Sequence, residues 1–394
     1  MTFSASLFRP SRRLAWCAWA LVFASPFAVR AEAGADTLAA KFELLHSFDG
    51  HDGHYPRHSL IMGKDGLVHG GALTSFKITR AGEFTVVNAF DKRHLGWQAK
   101  GLVQAADGLY YGGAYMGGDL KSGTAYRMTP RGKVTLLHTF DITTTEGGNP
   151  WAPFLQASDG AFYSTTSDGE NGSCGSLFRL TPAGEFTVLH QFTLAPNNAC
   201  GADTWALMQA KDGHIYGVTE RGGASNGGAI YRWTSGGTWE LLHSFQETGL
   251  PGWHPNSGLV QVADGAIYGT TYEGGENGNG AFYRFDPDTR TVSVVKAFGS
   301  ELADPRHPRG ELLLARDGNL YGTTIYGGEH ESGAVYRLTT AGELTTVFAF
   351  PHQAKKLGYM PFAGLVEGRD GEFFGTTHYG GEFGYGTIYR LVLK

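Results

Sequence analysis

Arginine, histidine and tyrosine side chains are concentrated next to short strand-like runs of this 394-residue chain. A guanidinium group can hold a carboxylate through two hydrogen bonds, while imidazole and phenol groups can transfer protons. Together they could remove the proton beside a uronate carboxylate and protonate the leaving oxygen, which is the chemistry of β-elimination. The candidate catalytic residues are Arg57, His58, His254, His307, Arg309, Tyr326, His378 and Tyr379.

A second group of side chains is suited to holding sugar rings, because aromatic faces stack on apolar surfaces and polar groups orient the ligand. The candidate substrate-binding residues are Tyr55, Trp97, Lys100, Trp151, Trp205, Asn256, Tyr272 and Arg306. The predicted partner is an extracellular, anionic polysaccharide or oligosaccharide. For Trp151 and Trp205 the alternative is that they plug a channel. A glycosidase with paired carboxylates is less supported, since Glu220, Glu273 and Glu311 belong to different copies of the repeat described below and the sequence does not give the distances between them.

Other chemistries find little support in the sequence. It contains no GxSxG nucleophile elbow on a strand-to-helix turn, no HExxH or phosphate-binding motif, and no cysteine and histidine spacing typical of zinc. His51, His54 and His58 form a loose run that we interpret as a solvated loop rather than a metal site. We therefore predict neither a metal nor a cofactor.

The elements that would position these residues form an internal repeat. Asp-Gly pairs begin at Asp65, Asp107, Asp159, Asp212, Asp264, Asp317 and Asp370, about 42 residues apart once and 52 or 53 residues apart thereafter. This period is in the range of propeller blades. Each copy reads as four short runs, strands A to D, with a tight Asp-Gly turn between A and B. The sequence predicts an all-β, seven-bladed propeller with four antiparallel strands per blade.

The two ends of the chain predict how the ring closes. The last copy ends after strand C, whereas residues 42–48 resemble the strand D of residues 239–245. We expect this N-terminal strand to complete the last blade, which would hide the sheet edges. The predicted domain is a single propeller over residues 42–394, preceded by a linker at 34–41.

The repeat also resembles a known family. Residues 268–275, 321–328 and 374–381 read YGTTYEGG, YGTTIYGG and FGTTHYGG, and each precedes a Gly-x-x-Tyr-Arg segment. These phrases are similar to the GloVer tandem repeat of exported bacterial proteins. The resemblance covers nearly all of the chain after residue 33 and implies a secreted, propeller-like protein, without an assigned activity. The first copy departs from the pattern because it lacks the Gly-rich loop.

Repetition separates structural from functional residues. The aromatic-Arg pairs of strand C, the histidines of strand D and the glycine at the fourth position of strand B recur, so we interpret them as structural. The short A–B and C–D turns should lie on one face, here named the turn face. The longer D–A and B–C connections should lie on the other, the loop face, where binding residues are expected. Cys174 and Cys200 fall on the loop face, which predicts a disulfide, with two buried thiols as the alternative.

The first 33 residues predict export. Arg9, Arg12 and Arg13 precede an apolar run and a small-x-small site at residues 31–33, a pattern typical of a cleaved signal peptide, with a retained anchor as the alternative. Its removal leaves 28 basic and 36 acidic residues, a net charge of about −8 that argues against nucleic-acid binding. We expect a periplasmic or extracellular monomer with no membrane span in the mature chain. The alternative function is a non-catalytic scaffold for protein or cell-envelope interactions.

Overall fold

The computed structural model describes residues 40–90, 93–99, 101–170, 174–193, 199–200, 206–351 and 356–393, without the side chains of 97–99 and 199–200. The predicted signal peptide lies outside these ranges. The described residues contain no α-helix, and therefore no helix that is long and apolar enough to cross a membrane.

Seven antiparallel sheets of four strands form the ring of a β-propeller, as predicted. In blade 1, strands A to D are Ile61–Met62, Val68–Gly71, Thr74–Ile78 and Phe84–Ala89. In blade 2, strand A has two parts, Trp97–Ala99 and Val103–Gln104, and strands B to D are Tyr110–Met116, Thr124–Met128 and Val134–Thr139. In blade 3, strand A has two parts, Gly148–Pro150 and Leu155–Gln156, and strands B to D are Phe162–Asp168, Ser176–Leu180 and Phe186–Gln191. Strands A to D of blades 4 and 5 are Leu207–Gln209, Ile215–Thr219, Ala229–Trp233 and Trp239–Ser244; and Trp253–Gln261, Ile267–Glu273, Ala281–Asp286 and Thr291–Ala297. Those of blades 6 and 7 are Pro305–Pro308 with Leu313–Leu314, Leu320–Gly327, Ala334–Leu338 and Leu344–Ala349; and Val366–Glu367, Phe373–Thr377, Thr387–Leu393 and the N-terminal Ala40–Ser47. A further two-stranded sheet pairs Ala199–Cys200 with Arg221–Gly222.

The ring closes through the N-terminal strand, which confirms the prediction. Ala40 pairs with Leu393 and Ser47 with Thr387, antiparallel along strand C of blade 7. The backbone NH of Phe48 then donates to Gly386 O at 3.1 Å. The two ends of the chain thus share one sheet, so the blade that closes the ring has no unpaired outer edge at strand C.

In six of the seven blades the core includes the recurrent strand B glycine. In blade 6 the phenol of Tyr336 lies against Gly322, so closely that an added Cβ would overlap it. In blade 3 both residues differ: Ser164 replaces the glycine, and Phe178, which has no hydroxyl, replaces the tyrosine. The hydroxyl of Ser164 donates instead to Ala152 O at 2.7 Å. This pairing agrees with the structural role predicted for the recurrent glycine.

The strand C tyrosines also pack between blades. The phenylalanine that follows strand D of one blade lies edge-on to the tyrosine of the next, as in Phe298 and Tyr336, whose ring centroids are 5.2 Å apart. The arginines beside the tyrosines vary in their contacts. Arg127 donates to Pro182 O of the next blade, whereas Arg179 forms an ion pair with Asp159 of its own blade.

The turn face repeats one set of hydrogen bonds. The Asp carboxylate of the A–B turn accepts from a backbone NH two residues on and from a tyrosine hydroxyl four residues on, as Asp212 does from His214 and Tyr216. The last residue of strand A bridges neighbouring blades. Gln209 accepts from the backbone NH of Ser158 at 2.8 Å and donates to Gly213 O at 3.1 Å. Gln104, Gln156 and Gln261 make equivalent bonds.

The strand D histidines stack on the neighbouring blade, which supports their structural interpretation. His46 lies 3.8 Å from Phe84, His138 lies 4.0 Å from Phe186, and the rings are within 3° of parallel. His46 also contacts Asp52 at 2.8 Å.

Candidate functional site on the loop face

A recurring backbone conformation before strand A places side chains at the mouth of the ring. In five blades the residue that leads into strand A has a positive φ between 49° and 58° and precedes a proline; these lead-in residues are Tyr55, Asn149, His254, His307 and Met360. Such a conformation is uncommon for a residue other than glycine and must be held by its surroundings. Each backbone NH donates to a carbonyl of the preceding blade at 2.6 to 2.9 Å.

The lead-in proline is seated on a glycine of the preceding blade. An added Cβ at Gly333 would lie 2.8 Å from Pro361 Cδ, and one at Gly386 would lie 3.0 Å from Pro56 Cδ. The proline and the hydrogen bond together fix the residue that follows. This residue, which we call the mouth residue, is Arg57, Trp151, Asn256, Arg309 or Phe362 in blades 1, 3, 5, 6 and 7. The backbone conformation of the lead-in residue and its proline recurs, while the side chain of the mouth residue differs in almost every blade.

Two arginines converge on one phenylalanine at this level. The guanidinium carbon of Arg309 lies 5.0 Å from the centroid of the Phe362 ring, and that of Arg57 lies 5.9 Å from it. Arg309 also lies 5.7 Å from the Tyr272 ring. Arg57 is exposed, and no carboxylate forms an ion pair with it in the described ranges. Blades 6, 7 and 1 therefore present two positive charges around an aromatic ring.

His378 lies beside this cluster in a buried position. Its ring is 4.4 Å from Phe362, 4.4 Å from Tyr379 and 5.2 Å from Tyr55. Burial, followed by repulsion from Arg57, lowers the pKa of His378 to about 4. The imidazole is therefore neutral at physiological pH. Its 2% exposure places it behind the rings rather than on the surface.

His307 is held in one tautomer. Its Nδ1 lies 3.0 Å from Tyr272 O, and since a carbonyl can only accept, Nδ1 carries the proton and Nε2 keeps a lone pair. Burial lowers the pKa of His307, which keeps the ring neutral. The ring lies 4.9 Å from that of Tyr272 and 5.6 Å from that of Tyr326, which is 39% exposed. His307 is thus positioned as a proton acceptor close to Arg309.

Of the other predicted residues of blades 5 and 6, His254 and Arg306 have charged partners within the protein, and Asn256 has none among the described residues. His254 Nδ1 lies 3.3 Å from Glu273 Oε2, which also accepts from Trp253 Nε1 at 2.7 Å. Arg306 forms an ion pair with Glu331. Asn256 is 1% exposed, and neither polar atom of its side chain has a hydrogen-bond partner in the described part of the chain.

The predicted residues do not gather at a single point. The His58 ring is directed to Trp151, 6.2 Å away, and Trp151 contacts Tyr115 at 5.3 Å. Arg57, Arg309, His378 and Tyr379 form one group around Phe362, and His307 and Tyr326 continue it through Tyr272.

Several predicted residues cannot be placed. Lys100, Trp205 and the side chains of Trp97 and Cys200 lie outside the described set. Cys174 is 4% exposed, and its pairing with Cys200 stays a prediction. In the described ranges no group of three His, Cys, Asp or Glu side chains is arranged to hold a metal ion.

The strand A segments of blades 1, 2, 3, 6 and 7 line an open cavity of about 420 Å³. The Glu311 carboxyl lines it, and burial raises its pKa to about 7. Glu311 lies two residues further along the strand than the mouth residue Arg309.

Sequence reasoning did not single out Phe383 and Tyr385, which the structure places in the B–C loop of blade 7. Their ring exposures are 53% and 36%. The sequence did contain a signal for them. The loop of blade 7 reads GGEFGYG, whereas the equivalent loops of blades 5 and 6 read GGENGNG and GGEHESG and have no aromatic ring of Phe or Tyr at these positions.

Fold and sequence together define a repeat-built propeller whose variable side chains are on the loop face. The chain belongs to the family described as Gloeobacter/Verrucomicrobia repeat, which it matches over residues 69–252 and 203–394, as the GloVer resemblance predicted. No curated protein matches the sequence.

Solved structures share the fold at low identity. The extracellular domain of a hybrid two-component system from B. thetaiotaomicron has a TM-score of 0.57 and 11% identity over 86% of this chain, which spans 40% of the length of that protein. An oligogalacturonate lyase from Vibrio parahaemolyticus has a TM-score of 0.56 and 12% identity, covering 91% of this chain and 98% of the lyase. At this identity the likeness concerns the propeller fold alone.

Proposed function

We propose that the protein binds a polysaccharide that carries carboxylates, at the cluster of Arg57, Phe362 and Arg309. The observation that carries this proposal is the pair of guanidinium groups beside one half-buried aromatic ring, Phe362, at the mouth. Guanidinium groups bind carboxylates through paired hydrogen bonds, and an aromatic ring offers a face to the apolar side of a sugar. A uronate residue has both of these features.

The charge distribution favours a local contact over general attraction of polyanions. The chain has a net charge of −5, so its overall field repels anions at long range. Binding would depend on the two arginines, which would neutralise about two carboxylate charges of the ligand. A nucleic-acid binder, by contrast, neutralises many phosphate charges. The Vibrio neighbour, which is an oligogalacturonate lyase, supports the choice of uronate chains as the first probes.

Cleavage by β-elimination is the second candidate, and the geometry of His307 favours it. Arg57 and Arg309 would pair with the uronate carboxylate and so stabilise negative charge that develops at C5. His307 Nε2 would take the C5 proton, the C5–H electron pair would form the C4–C5 double bond, and the bond from C4 to the glycosidic oxygen would break. The Tyr326 hydroxyl would protonate that oxygen.

Binding is tested by isothermal titration calorimetry with polygalacturonate, alginate and a glucuronate polymer, and with neutral xylan as a reference. We expect a uronate polymer to bind and Arg57→Ala to lower its affinity about tenfold or more, since a hydrogen bond to a charged group contributes about 1.5 to 3 kcal/mol. Arg290→Ala is the matched control, because Arg290 is exposed on the turn face. Equal affinity for xylan, or no effect of Arg57→Ala, would reject the proposal.

Catalysis is read in the same samples from the ultraviolet absorbance of the unsaturated product. The elimination proposal expects product with the wild type and a large loss with His307→Gln, while binding persists. Binding without product leaves a carbohydrate-binding propeller. Absence of binding to all the polymers would favour the scaffold function for a protein or cell-envelope component.

We also propose that the protein is exported as a monomer after cleavage at residue 33. N-terminal sequencing of the protein from a bacterial host, with size-exclusion chromatography, tests both points. A chain that retains residues 1–33 in the secreted fraction would contradict cleavage.

A further inference from the structure

Exposed aromatic side chains are confined to one face of the molecule. Among the described residues the aromatic rings that are at least 36% exposed are Tyr55, Tyr326, Phe383 and Tyr385. All four belong to D–A or B–C connections or to the strand ends next to them, and thus to the loop face. Three of them lie at the junction of blades 7 and 1: Tyr55 in the segment that leads into blade 1, and Phe383 and Tyr385 in the B–C loop of blade 7.

The equivalent loop of blade 5 forms without aromatic side chains. In blade 5 the equivalent positions are Asn277 and Asn279, and both make hydrogen bonds that hold the loop: Asn277 donates to Phe298 O, and Asn279 donates to Asn277 O. Blade 7 replaces these two asparagines with exposed rings. The Tyr385 ring packs on Gly50, whereas Phe383 is 53% exposed, and the two rings together with Tyr55 bring three exposed aromatic side chains to one part of the surface.

Tyr385 and Tyr55 form a strip that leads to the arginine cluster, and Phe383 lies in the same loop as Tyr385. Tyr385 lies 5.7 Å from Tyr55, and Tyr55 lies 5.2 Å from His378 and 5.7 Å from Tyr379. The backbone holds the strip in place, because the Tyr55 NH donates to Tyr385 O at 2.8 Å. Arg57 follows Tyr55 by two residues, so the positive charge and the strip adjoin.

We propose that Tyr55, Phe383 and Tyr385 form a stacking platform for additional sugar rings, so that the ligand is an oligosaccharide of several residues and not a single uronate. This inference rests on the proposed function, since the arginine cluster would hold one uronate while the platform holds its neighbours. Aromatic rings suit this role because their flat faces cover the apolar side of a pyranose without demanding a particular pattern of hydroxyl groups.

The test compares ligands of different length. Calorimetry measures the affinity of galacturonate and tetragalacturonate, and of mannuronate and its tetramer, for the wild type and for the double variant Phe383→Ala, Tyr385→Ala. We expect the preferred tetramer to bind the wild type at least about tenfold more tightly than the monomer, and the double variant to lose about tenfold for the tetramer and nothing for the monomer.

A second variant guards against a disrupted loop. Phe383→Asn with Tyr385→Asn gives blade 7 the two asparagines of blade 5, which organise their own loop, and we expect the same selective loss for the tetramer. Leu302→Ala is the control, since this residue is 82% exposed and lies in the connection between blades 5 and 6. It should change neither affinity.

The outcomes separate the two proposals. Equal affinities for monomer and tetramer, or an unchanged affinity of both double variants for the tetramer, would overturn the platform while leaving the uronate site intact. If no monomer or tetramer binds and none of the three uronate polymers binds either, the proposed function is overturned and the platform with it.

Discussion

The two faces of this propeller use the same repeat in opposite ways. On the turn face the side chains recur together with their contacts: Asp212 accepts from Tyr216, Asp317 accepts from Tyr321, and Gln209 links blades 3 and 4. On the loop face only the backbone recurs. The lead-in residue and its proline are held alike in five blades, yet the side chain that follows is Arg, Trp, Asn, Arg or Phe.

This contrast shows how a repeat fold can carry a single site. Contacts that stabilise every blade must recur in every blade. The residues that make these contacts on the turn face therefore vary little. A rigid backbone frame that does not depend on the next side chain allows that residue to differ from blade to blade. Variation at the mouth position can therefore build a binding site without disturbing the ring.

The largest predicted effect concerns the repeated core. Gly322→Ala would force a Cβ into the Tyr336 phenol, and we expect a loss of about 3 kcal/mol in the free energy of unfolding because of overpacking. Gly236→Ala is the control, since the nearest atom to its added Cβ, Thr234 Oγ1, is 3.8 Å away. Urea denaturation measures both. Similar midpoints for the two variants would show that the glycine is not required by its neighbour.

The second prediction concerns acid stability on the loop face. The pKa of His378 lies at about 4 in the folded protein, below the ordinary value of 6.5, so the fold favours the neutral ring. The free energy of unfolding should therefore be unaffected by this group above pH 6.5 and should fall as the pH drops toward about 4, with a loss of about 2 kcal/mol at pH 5.

Glu311 acts in the opposite direction, so a variant is needed to isolate His378. Because the pKa of Glu311 is raised from 4.5 to about 7, its contribution to stability is lost as the pH rises through this range. Urea unfolding at pH 7 and pH 5 should show that His378→Gln loses less stability on acidification than the wild type. Equal losses would contradict the buried, neutral histidine.

A smaller effect is expected for the link between blades on the turn face. Gln209→Leu removes the bonds to Ser158 and Gly213 and should cost about 1 to 2 kcal/mol, because the Ser158 NH loses its acceptor. Blade 6 already has Leu314 at this position, so the variant should still fold. A change of less than about 0.5 kcal/mol in urea denaturation would mean that water replaces the glutamine fully.

The smallest effect is expected on the loop face. Phe383 is 53% exposed, so Phe383→Ala should change the free energy of unfolding by less than about 0.5 kcal/mol. The same urea experiment, run beside Gln209→Leu, compares the two faces directly. A larger loss for Phe383→Ala than for Gln209→Leu would reverse the proposed division between structural and functional residues.

The sequence was sufficient to predict the ring because repetition is visible without coordinates. Seven Asp-Gly turns, the strand B glycine and the displaced strand at residues 42–48 each report a local feature that occurs several times. The packing of Gly322 on Tyr336 and the pairing of Ala40 with Leu393 follow from that pattern.

The arrangement of the site could be predicted only in part. Residues at the mouth were identified by their failure to recur, but their contacts join blades far apart in the sequence, such as Arg57 with Phe362. The direction of each side chain could not be predicted either: the His58 ring is directed to Trp151, and His254 contacts Glu273. Phe383 and Tyr385 were missed because the Gly-rich loops were treated as spacers.

Hydrogen exchange measured by mass spectrometry, with and without the uronate polymer that binds best, tests the division between the faces most directly. The account predicts that bound polymer slows exchange in peptides that contain residues 55–58, 307–309, 360–362 and 378–386, and leaves the turns at 107–109, 212–214 and 317–319 unchanged. Slower exchange in those turns, or bound polymer without any change at the mouth, would contradict it.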